Sequence, residues 1–260
     1  FSTHDQSFQY FDLTSIKLVA IFFMIVSGVN FALHFSVLKR RNPFLYLADA
    51  EVRTYFLVLL LVSLFLVVVF QFRQSDSDAD YIDHLFQAVS FATTTGFVSS
   101  ELYLWPPIAQ VVLILAAFAG GCAGSTAGGI KIIRVLTIWR QGAREIKRLV
   151  HPNGVFHVKV GGRPVSEPVL NSIWSFISVY IFLFFFSIVL IMTVSELDFL
   201  TSFSAVSASL NNLGPGLGMV GESYEDISAP VKWILIVNMM LGRLELFTIL
   251  VLFTPYYWRR

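Results

Sequence analysis

Five long apolar stretches constrain this chain more than any other feature of its sequence. No charged residue lies between Glu101 and Lys131, and none lies between Glu167 and Glu196. Each stretch has roughly the 20 residues that a helix needs to cross the hydrocarbon of a bilayer. The sequence therefore predicts an all-α membrane protein whose spans lie at residues 16–38, 54–72, 105–130, 168–195 and 233–253.

The composition also indicates that a bilayer is the solvent. Of the 260 residues, 56% are hydrophobic and only 13% are charged, whereas about 25% are charged in typical soluble domains. The single cysteine, Cys122, excludes an internal disulfide framework and a Cys-rich metal site. The net charge of +1, without a basic patch interleaved with aromatic residues, gives no indication of nucleic-acid binding.

The connections between the spans alternate in charge. Basic residues dominate the connections after the first and third spans, whereas acidic residues dominate those after the second and fourth. Positively charged residues concentrate on the cytoplasmic side of membrane proteins. The sequence therefore predicts an outer N-terminus and a cytoplasmic C-terminus, and an odd number of spans agrees with that arrangement.

The two acidic connections each contain a further apolar stretch, at residues 81–95 and 197–212. Both stretches are too short to span a bilayer, which is typical of re-entrant segments. A Phe-x-Ala-Val-Ser phrase begins at Phe86 and again at Phe203, and small polar residues and glycine follow each copy. Two amphipathic surface helices are the alternative, but matched sequence and placement favour a repeated re-entrant unit.

Re-entrant segments of this kind point to cation movement. Non-helical backbone at membrane depth is tolerated only where it is buried in protein or lines water. Rings of backbone carbonyls can replace the hydration shell of potassium. A membrane scaffold that moves nothing is the alternative, although a scaffold has no need for such loops. An enzyme is disfavoured, because the spans contain no metal-ligand cluster and no pair of nucleophile and base.

The third apolar stretch contains a run that no stable helix tolerates. Five of the residues from 120 to 129 are glycines, and each costs roughly 1 kcal/mol relative to alanine inside a helix. The sequence predicts that the helix unwinds into a Gly-rich loop, residues 120–131. A phosphate loop is disfavoured because Ile130 stands where lysine is required, and a static break that lets helices pack closely stays open. If this loop is a gate, its candidate residues are Gly120, Gly121, Gly124, Ser125, Thr126, Gly128 and Gly129.

Arg243 lies in the middle of the fifth apolar stretch. Arginine at the centre of a bilayer costs about 2.5–3.5 kcal/mol on insertion scales, and such residues usually have a function. Glu245 is two positions away and is not on the same helical face. The five donors of a guanidinium suit the carbonyls of an unwound loop. We expect Arg243 to contact the Gly-rich loop; snorkelling to the inner interface, or pairing with another helix, is the alternative.

Four segments together resemble the Trk-type potassium-uptake membrane subunits (the TrkH/KtrB superfamily). They are residues 120–131, 151–153, 211–218 and 242–245. The resemblance implies four concatenated units of helix, pore loop and helix around one pore with pseudo-fourfold symmetry. It implies that this chain is a C-terminal fragment that begins after the second filter. The units would be the end of the second repeat (1–45), the third repeat (46–150), a cytoplasmic linker (151–165) and the fourth repeat (166–260).

The resemblance also implies which residues form the selectivity filter, with potassium as the bound and transported ion and no organic cofactor. The ungapped repeat pairs Gly96 with Leu213, whereas one inserted residue pairs Gly96 with Gly214, so the register of the fourth filter is open by one position. The ligands would be backbone carbonyls of Thr94, Thr95, Asn212 and Leu213. The filter as a whole would comprise Thr94, Thr95, Gly96, Asn212, Leu213 and Gly214.

The partners that the resemblance implies are a second copy of the protein and a cytoplasmic nucleotide-binding ring of the TrkA type, in the bacterial inner membrane. The basic segment 140–163 is a candidate docking face, with topology and lipid contact as an equal alternative. Residues 155–160, followed by Gly161 and Gly162, predict a short hairpin there. Channel-like conduction and symport coupled to protons or sodium both stay open.

Overall fold

The protein is almost entirely helical where the computed structural model describes it, at residues 7–11, 13–73, 80–221, 223–244 and 246–258. The predicted all-α class is confirmed. The expected tail of a preceding filter (residues 1–5) and Glu245 lie outside the described residues. The helices are α1 (Thr14–Ser27), α2 (Phe31–Arg40), α3 (Phe44–Ala48), α4 (Ala50–Arg73), α5 (Tyr81–Ala92), α6 (Pro107–Ala119), α7 (Ile132–Val150), α8 (Glu167–Val194), α9 (Phe199–Leu210), α10 (Ala229–Arg243), α11 (Leu246–Leu252) and α12 (Pro255–Trp258).

Within the described part of the chain, two helices are long and apolar enough to cross a membrane unbroken, at Ala50–Phe72 and Glu167–Val194. The number rises to four if α1 with α2, and α10 with α11, each count as one broken span. The expectation of a continuous helix is therefore wrong for the first and fifth stretches, whereas the third stretch breaks as its glycines predict. The third stretch contains only the 13-residue helix α6 before the chain unwinds.

The first apolar stretch bends by 93° between α1 and α2. The bend follows Gly28, where an added Cβ would lie 2.3 Å from the hydroxyl oxygen of Tyr55. Asn30 then starts the new helix, because its side-chain oxygen accepts the N–H of Ala32 at 2.7 Å. A capping side chain of this type is a start signal for a helix. Hydropathy obscures that signal because the residues on both sides are apolar.

The two short helices predicted as re-entrant are present, and most of their residues are buried. α5 packs against α1, α4 and α6, and α9 packs against α8, α10 and α6. Each begins at an aspartate cap, since Asp80 accepts the N–H of Tyr81 and Asp198 accepts that of Thr201. The hydrogen bonds from Thr201 hold the pKa of Asp198 below its ordinary value. The helices therefore begin at polar, capped ends and continue into the core.

A short hairpin follows α7, as the sequence predicts, but its strands are shorter. β1 (Lys159–Val160) pairs antiparallel with β2 (Arg163–Pro164). Gly161 and Gly162 form the turn with φ of 59° and 80°, and two positive φ angles in succession are typical of a tight hairpin turn. Residues 155–158 are not in a strand; the side chain of Val158 is buried instead.

Candidate functional site

The buried helix α5 ends in a Schellman motif. The N–H of Thr94 donates to the carbonyl of Phe91 at 3.0 Å, and the N–H of Thr95 donates to the carbonyl of Ser90 at 2.8 Å. Thr94 has a φ of 53°, which is the left-handed conformation that this motif requires. Glycine usually occupies that position, so a threonine there is strained. The chain consequently reverses sharply at the end of α5 and forms the first re-entrant loop, residues 93–97.

The second buried helix, α9, ends in the same motif with different residues. The N–H of Asn212 donates to the carbonyl of Ser209 at 3.1 Å, and the N–H of Leu213 donates to the carbonyl of Ala208 at 2.8 Å. Asn212 has a φ of 54°, which asparagine adopts more readily than threonine. The second re-entrant loop, residues 211–215, therefore has the same backbone course as the first.

These motifs determine the register of the repeat. The capping residues Asp80 and Asp198 and the left-handed residues Thr94 and Asn212 are each 118 positions apart. The shared Phe-x-Ala-Val-Ser phrase is 117 positions apart in the sequence. The phrase is thus shifted by one residue relative to the backbone repeat, so it indicates the presence of the repeat and gives the wrong register.

In the register that the backbone defines, Gly96 is equivalent to Gly214. Their φ angles are 80° and 106°. The two re-entrant loops touch at Gly96, where an added Cβ would lie 1.8 Å from the carbonyl oxygen of Leu213. Gly214 has nothing within 4 Å of an added Cβ. Of the two open pairings, the backbone geometry thus selects Gly96 with Gly214.

The two buried helices also contribute electrostatically. The aligned peptide dipoles of a helix place about half a negative charge at its C-terminal end. α5 and α9 end at the two re-entrant loops, which contact each other at Gly96 and Leu213. Two partial negative charges therefore lie close to one another in a buried region, and a cation is the ligand that such an arrangement favours.

The third apolar stretch unwinds into a closed loop, as its glycines predict. The neck of the Gly-rich loop forms where the N–H of Ile130 donates to the carbonyl of Phe118 at 2.9 Å. Gly120 and Gly129 cross at this neck with φ of 64° and 73°. An added Cβ on Gly120 would lie 2.3 Å from the carbonyl oxygen of Gly128. Side chains at the neck would therefore keep the loop from closing.

Short-range contacts fold the interior of the Gly-rich loop. The hydroxyl of Ser125 donates to the carbonyl of Cys122 at 2.6 Å and accepts the N–H of Ala127 at 3.3 Å. Gly121 lies against the same residues, because an added Cβ there would be 2.7 Å from the Cβ of Ala127. The loop is thus a compact unit with its own hydrogen bonds.

The Gly-rich loop also provides hydrogen-bond partners for backbone groups at the break in the first apolar stretch. The N–H of Cys122 donates to the carbonyl of Gly28 at 2.9 Å, and the N–H of Phe31 donates to the carbonyl of Gly124 at 3.1 Å. Backbone groups released by unwinding at membrane depth must find partners inside the protein. The two unwound segments provide those partners for each other, which explains why both spans break at the same place.

Gly128 places the Gly-rich loop directly against both re-entrant loops. Its N–H donates to the hydroxyl of Thr94 at 2.6 Å in a buried contact. An added Cβ would lie 2.0 Å from the carbonyl oxygen of Asn211. The Gly-rich loop therefore lies against both re-entrant loops, and Gly128 is the residue that joins them.

The second re-entrant loop has a rigid base at Asn211. The hydroxyl of Tyr180 donates to its side-chain oxygen at 2.7 Å, and its side-chain amide donates to the carbonyl of Ser207 at 2.9 Å. The side chain of Asn211 is fully buried. Neither Asn211 nor Tyr180 stands out in the sequence as a structural support, because only the fold brings α8 to the end of α9.

Arg243 contacts the Gly-rich loop, as the sequence predicts. One guanidinium nitrogen donates to the carbonyl of Thr126 at 3.0 Å. Its side chain is exposed and lines a cavity of about 330 Å³. The wall of this cavity also includes Gly124, Ser125, Gly128, Gly129, Lys131, Tyr180 and Gly242.

One residue of this site was missed by the sequence reasoning. Glu51 stands at the start of α4, and one of its carboxylate oxygens accepts the N–H of Ala123 at 2.6 Å and that of Ile133 at 3.2 Å. Only 9% of Glu51 is exposed. An acidic residue at the edge of a long apolar stretch, in a connection dominated by basic residues, is the signal that could have revealed it.

Comparison with known proteins adds to this geometry. The family model described as TrkH, cation transport protein, matches residues 1–260. The Trk system potassium uptake protein TrkH of Salmonella typhimurium is 45% identical over 261 residues, which cover all of this chain and 54% of that protein. The protein TrkG of Escherichia coli K12 is 36% identical over 265 residues, which cover all of this chain and 53% of that protein.

The same relationship holds in three dimensions. The crystal structure of the potassium transporter TrkH from Vibrio parahaemolyticus matches with a TM-score of 0.93 and 42% sequence identity. The match covers all of this chain and 56% of that chain. This chain thus spans about half the length of the relatives that it matches.

Proposed function

Since this chain belongs to the TrkH family of cation transport proteins, we propose that it forms two walls of a potassium-uptake pathway through the bacterial inner membrane. The family consists of transporters, so the chain is not an enzyme. Potassium is then the cargo, and this chain holds no organic cofactor. The remaining walls belong to the part of the protein that precedes this half.

The observation that supports this function best is the matched pair of re-entrant loops. Two buried helices end in the same motif, carry the same partial negative charge and bring their loops into contact. We propose that the backbone carbonyls of Thr94, Thr95, Asn212 and Leu213 bind potassium, with Gly96 and Gly214 completing the filter. One glycine per loop implies weaker discrimination against sodium than in filters with a Gly-Tyr-Gly sequence.

The gate in this proposal is the Gly-rich loop. Its supports are the hydrogen bond from Gly128 to Thr94 and the hydrogen bond from Arg243 to Thr126. A loop that touches the inner end of both re-entrant loops obstructs the path of an ion that leaves them. Movement of the loop away from Thr94 opens that path.

The wider assembly follows from the charge pattern and the family. We propose that the C-terminus is cytoplasmic, that residues 151–165 are a cytoplasmic linker, and that the protein works as a homodimer. The repeats would be 46–150 and 166–260, with 1–45 ending the preceding one. Residues 140–163 would dock a TrkA-like ring that binds nucleotide.

Ion flux measured on the full-length protein in liposomes tests the function. We expect uptake of potassium and rubidium to exceed uptake of sodium. The same measurement with an imposed proton gradient separates channel-like conduction from proton-coupled symport, because only a coupled transporter needs the gradient. Absence of flux for every cation would favour the scaffold and would overturn the proposal.

The gate is tested by Arg243→Gln. We expect the basal rubidium flux of the full-length protein to rise roughly tenfold, because a hydrogen bond from a charged donor contributes about 1.5–3 kcal/mol. The control is Arg40→Gln, which removes an exposed arginine from the last turn of α2 and should leave the flux unchanged. A flux equal to the wild-type value in the Arg243 variant would refute the gate role of this residue.

A further inference from the structure

We propose that Glu51 is a positioning residue that holds the Gly-rich loop in its closed place by binding the backbone of Ala123 and Ile133, on either side of the segment that contacts Thr94 and Arg243. This inference rests on the proposed function, since it names the residue that sets the position of the proposed gate. Glu51 belongs to α4, and its carboxylate contacts backbone of the Gly-rich loop and of α7. Its action is therefore on the loop rather than on the ion.

The geometry of the carboxylate carries the inference. A single oxygen of Glu51 accepts two backbone N–H groups, that of Ala123 at 2.6 Å and that of Ile133 at 3.2 Å. These two residues bracket the part of the loop that contacts Thr94 and Arg243. One side chain consequently ties both sides of this segment to α4.

Glu51 also caps α7 from another helix. The residue before α7, Lys131, provides no side-chain cap for it. Ile133 lies in the first turn of α7, where N–H groups have no partner within the helix. A carboxylate at a helix N-terminus binds such a group and is favoured by the helix dipole. Glu51 therefore stabilises the start of α7 and the entry to the Gly-rich loop together.

The neighbouring acid has a different role. Asp49 caps α4 itself, because its carboxylate accepts the N–H of Glu51 at 2.8 Å and that of Val52 at 3.1 Å. The capping of α4 thus does not require the side chain of Glu51. Two acids that are two positions apart serve two different segments, which makes Asp49 a matched control for Glu51.

Cys122 reports the position of the loop independently of ion flux. It is adjacent to Ala123 and its side chain is fully buried. A thiol reagent therefore reaches it only when this part of the loop moves away from α4. We expect Glu51→Gln, in the full-length protein, to raise the rate of maleimide labelling at Cys122 about tenfold, because a neutral acceptor binds N–H groups more weakly than a carboxylate. Mass spectrometry of the peptide that contains Cys122 measures this rate.

Asp49→Asn should leave the labelling rate within about a factor of two of wild type, because asparagine also caps helices well. Glu51→Asp keeps the charge but is shorter by one methylene group, so we expect an intermediate rate. Wild-type labelling in both Glu51 variants would overturn the proposal. Failure of both variants to give a folded protein would also overturn it, because Glu51 would then support the fold rather than the loop.

Basal rubidium flux measured on the same variants separates this inference from the proposed function. We expect Glu51→Gln to increase the flux about tenfold without changing the ratio of rubidium to sodium flux. If neither the wild type nor any variant conducts, the proposed function fails, while Cys122 labelling still decides the role of Glu51. If the wild type conducts and labelling rises without any rise in flux, Glu51 does not position a gate.

Discussion

Replacement of Gly96 by alanine is expected to reduce potassium uptake by the full-length protein roughly a hundredfold. Alanine would carry the strain of a φ of 80°, which costs about 1–2 kcal/mol. Its Cβ would lie 1.8 Å from the carbonyl oxygen of Leu213, and overpacking of this kind costs about 1–3 kcal/mol. Either the first or the second re-entrant loop must therefore move. Rubidium uptake into liposomes measures the loss.

Alanine substitutions at two other glycines separate the effect of backbone strain from the effect of the clash with Leu213. Gly162, in the hairpin turn, also has a φ of 80° but has nothing within 4 Å of an added Cβ. Gly162→Ala should therefore leave uptake unchanged in liposomes that contain no partner ring. Gly214→Ala adds strain without a clash at the equivalent filter position, so we expect a smaller loss than for Gly96→Ala. Normal uptake by the Gly96 variant would contradict the filter assignment.

Replacement of Gly128 by alanine is expected to have the opposite effect and to raise basal rubidium flux about tenfold. The new Cβ would lie 2.0 Å from the carbonyl oxygen of Asn211. Asn211 cannot retreat easily, because Tyr180 and Ser207 bind its buried side chain. The Gly-rich loop must move instead, and it then loses the hydrogen bond from Gly128 to Thr94, with a buried unsatisfied group costing about 1–3 kcal/mol.

The ion selectivity of the Gly128 variant shows which loop has moved. If the Gly-rich loop moves, the ratio of rubidium to sodium flux stays at its wild-type value. Gly142→Ala, measured in liposomes that contain no partner ring, is the control, because Gly142 lies in α7 with nothing within 4 Å of an added Cβ. A lower flux, or a lower ratio of rubidium to sodium flux, in the Gly128 variant would mean that the filter is displaced. Either result would contradict the proposal that the Gly-rich loop is the gate.

Much of the site could be predicted from residue types alone. The two re-entrant helices follow from apolar stretches that are too short to span, and the Gly-rich loop follows from glycines that a helix does not tolerate. The contact of Arg243 with the loop follows from the need of a guanidinium for acceptors at membrane depth. These features depend on local composition, and for that reason the sequence reveals them.

The features that the sequence reasoning missed depend on long-range contacts. The shared phrase at Phe86 and Phe203 gave a register of 117, whereas capping and left-handed residues give 118. A similar sequence phrase can occur one position earlier or later along a buried helix, because small and apolar residues are tolerated on every side of such a helix. Hydrogen-bonded ends allow no such shift, so the helix ends rather than the phrase determine the register.

The sequence by itself determined the membrane, the helical class, the repeated re-entrant units and the unwound third span, because hydropathy and glycine content act locally. The tertiary structure alone decided where the freed backbone groups find partners. Gly28 and Glu51 contact the Gly-rich loop from elements that are about 70 or more residues away in the chain. A bilayer requires that each such group is satisfied, but only the packed fold selects the residue that satisfies it.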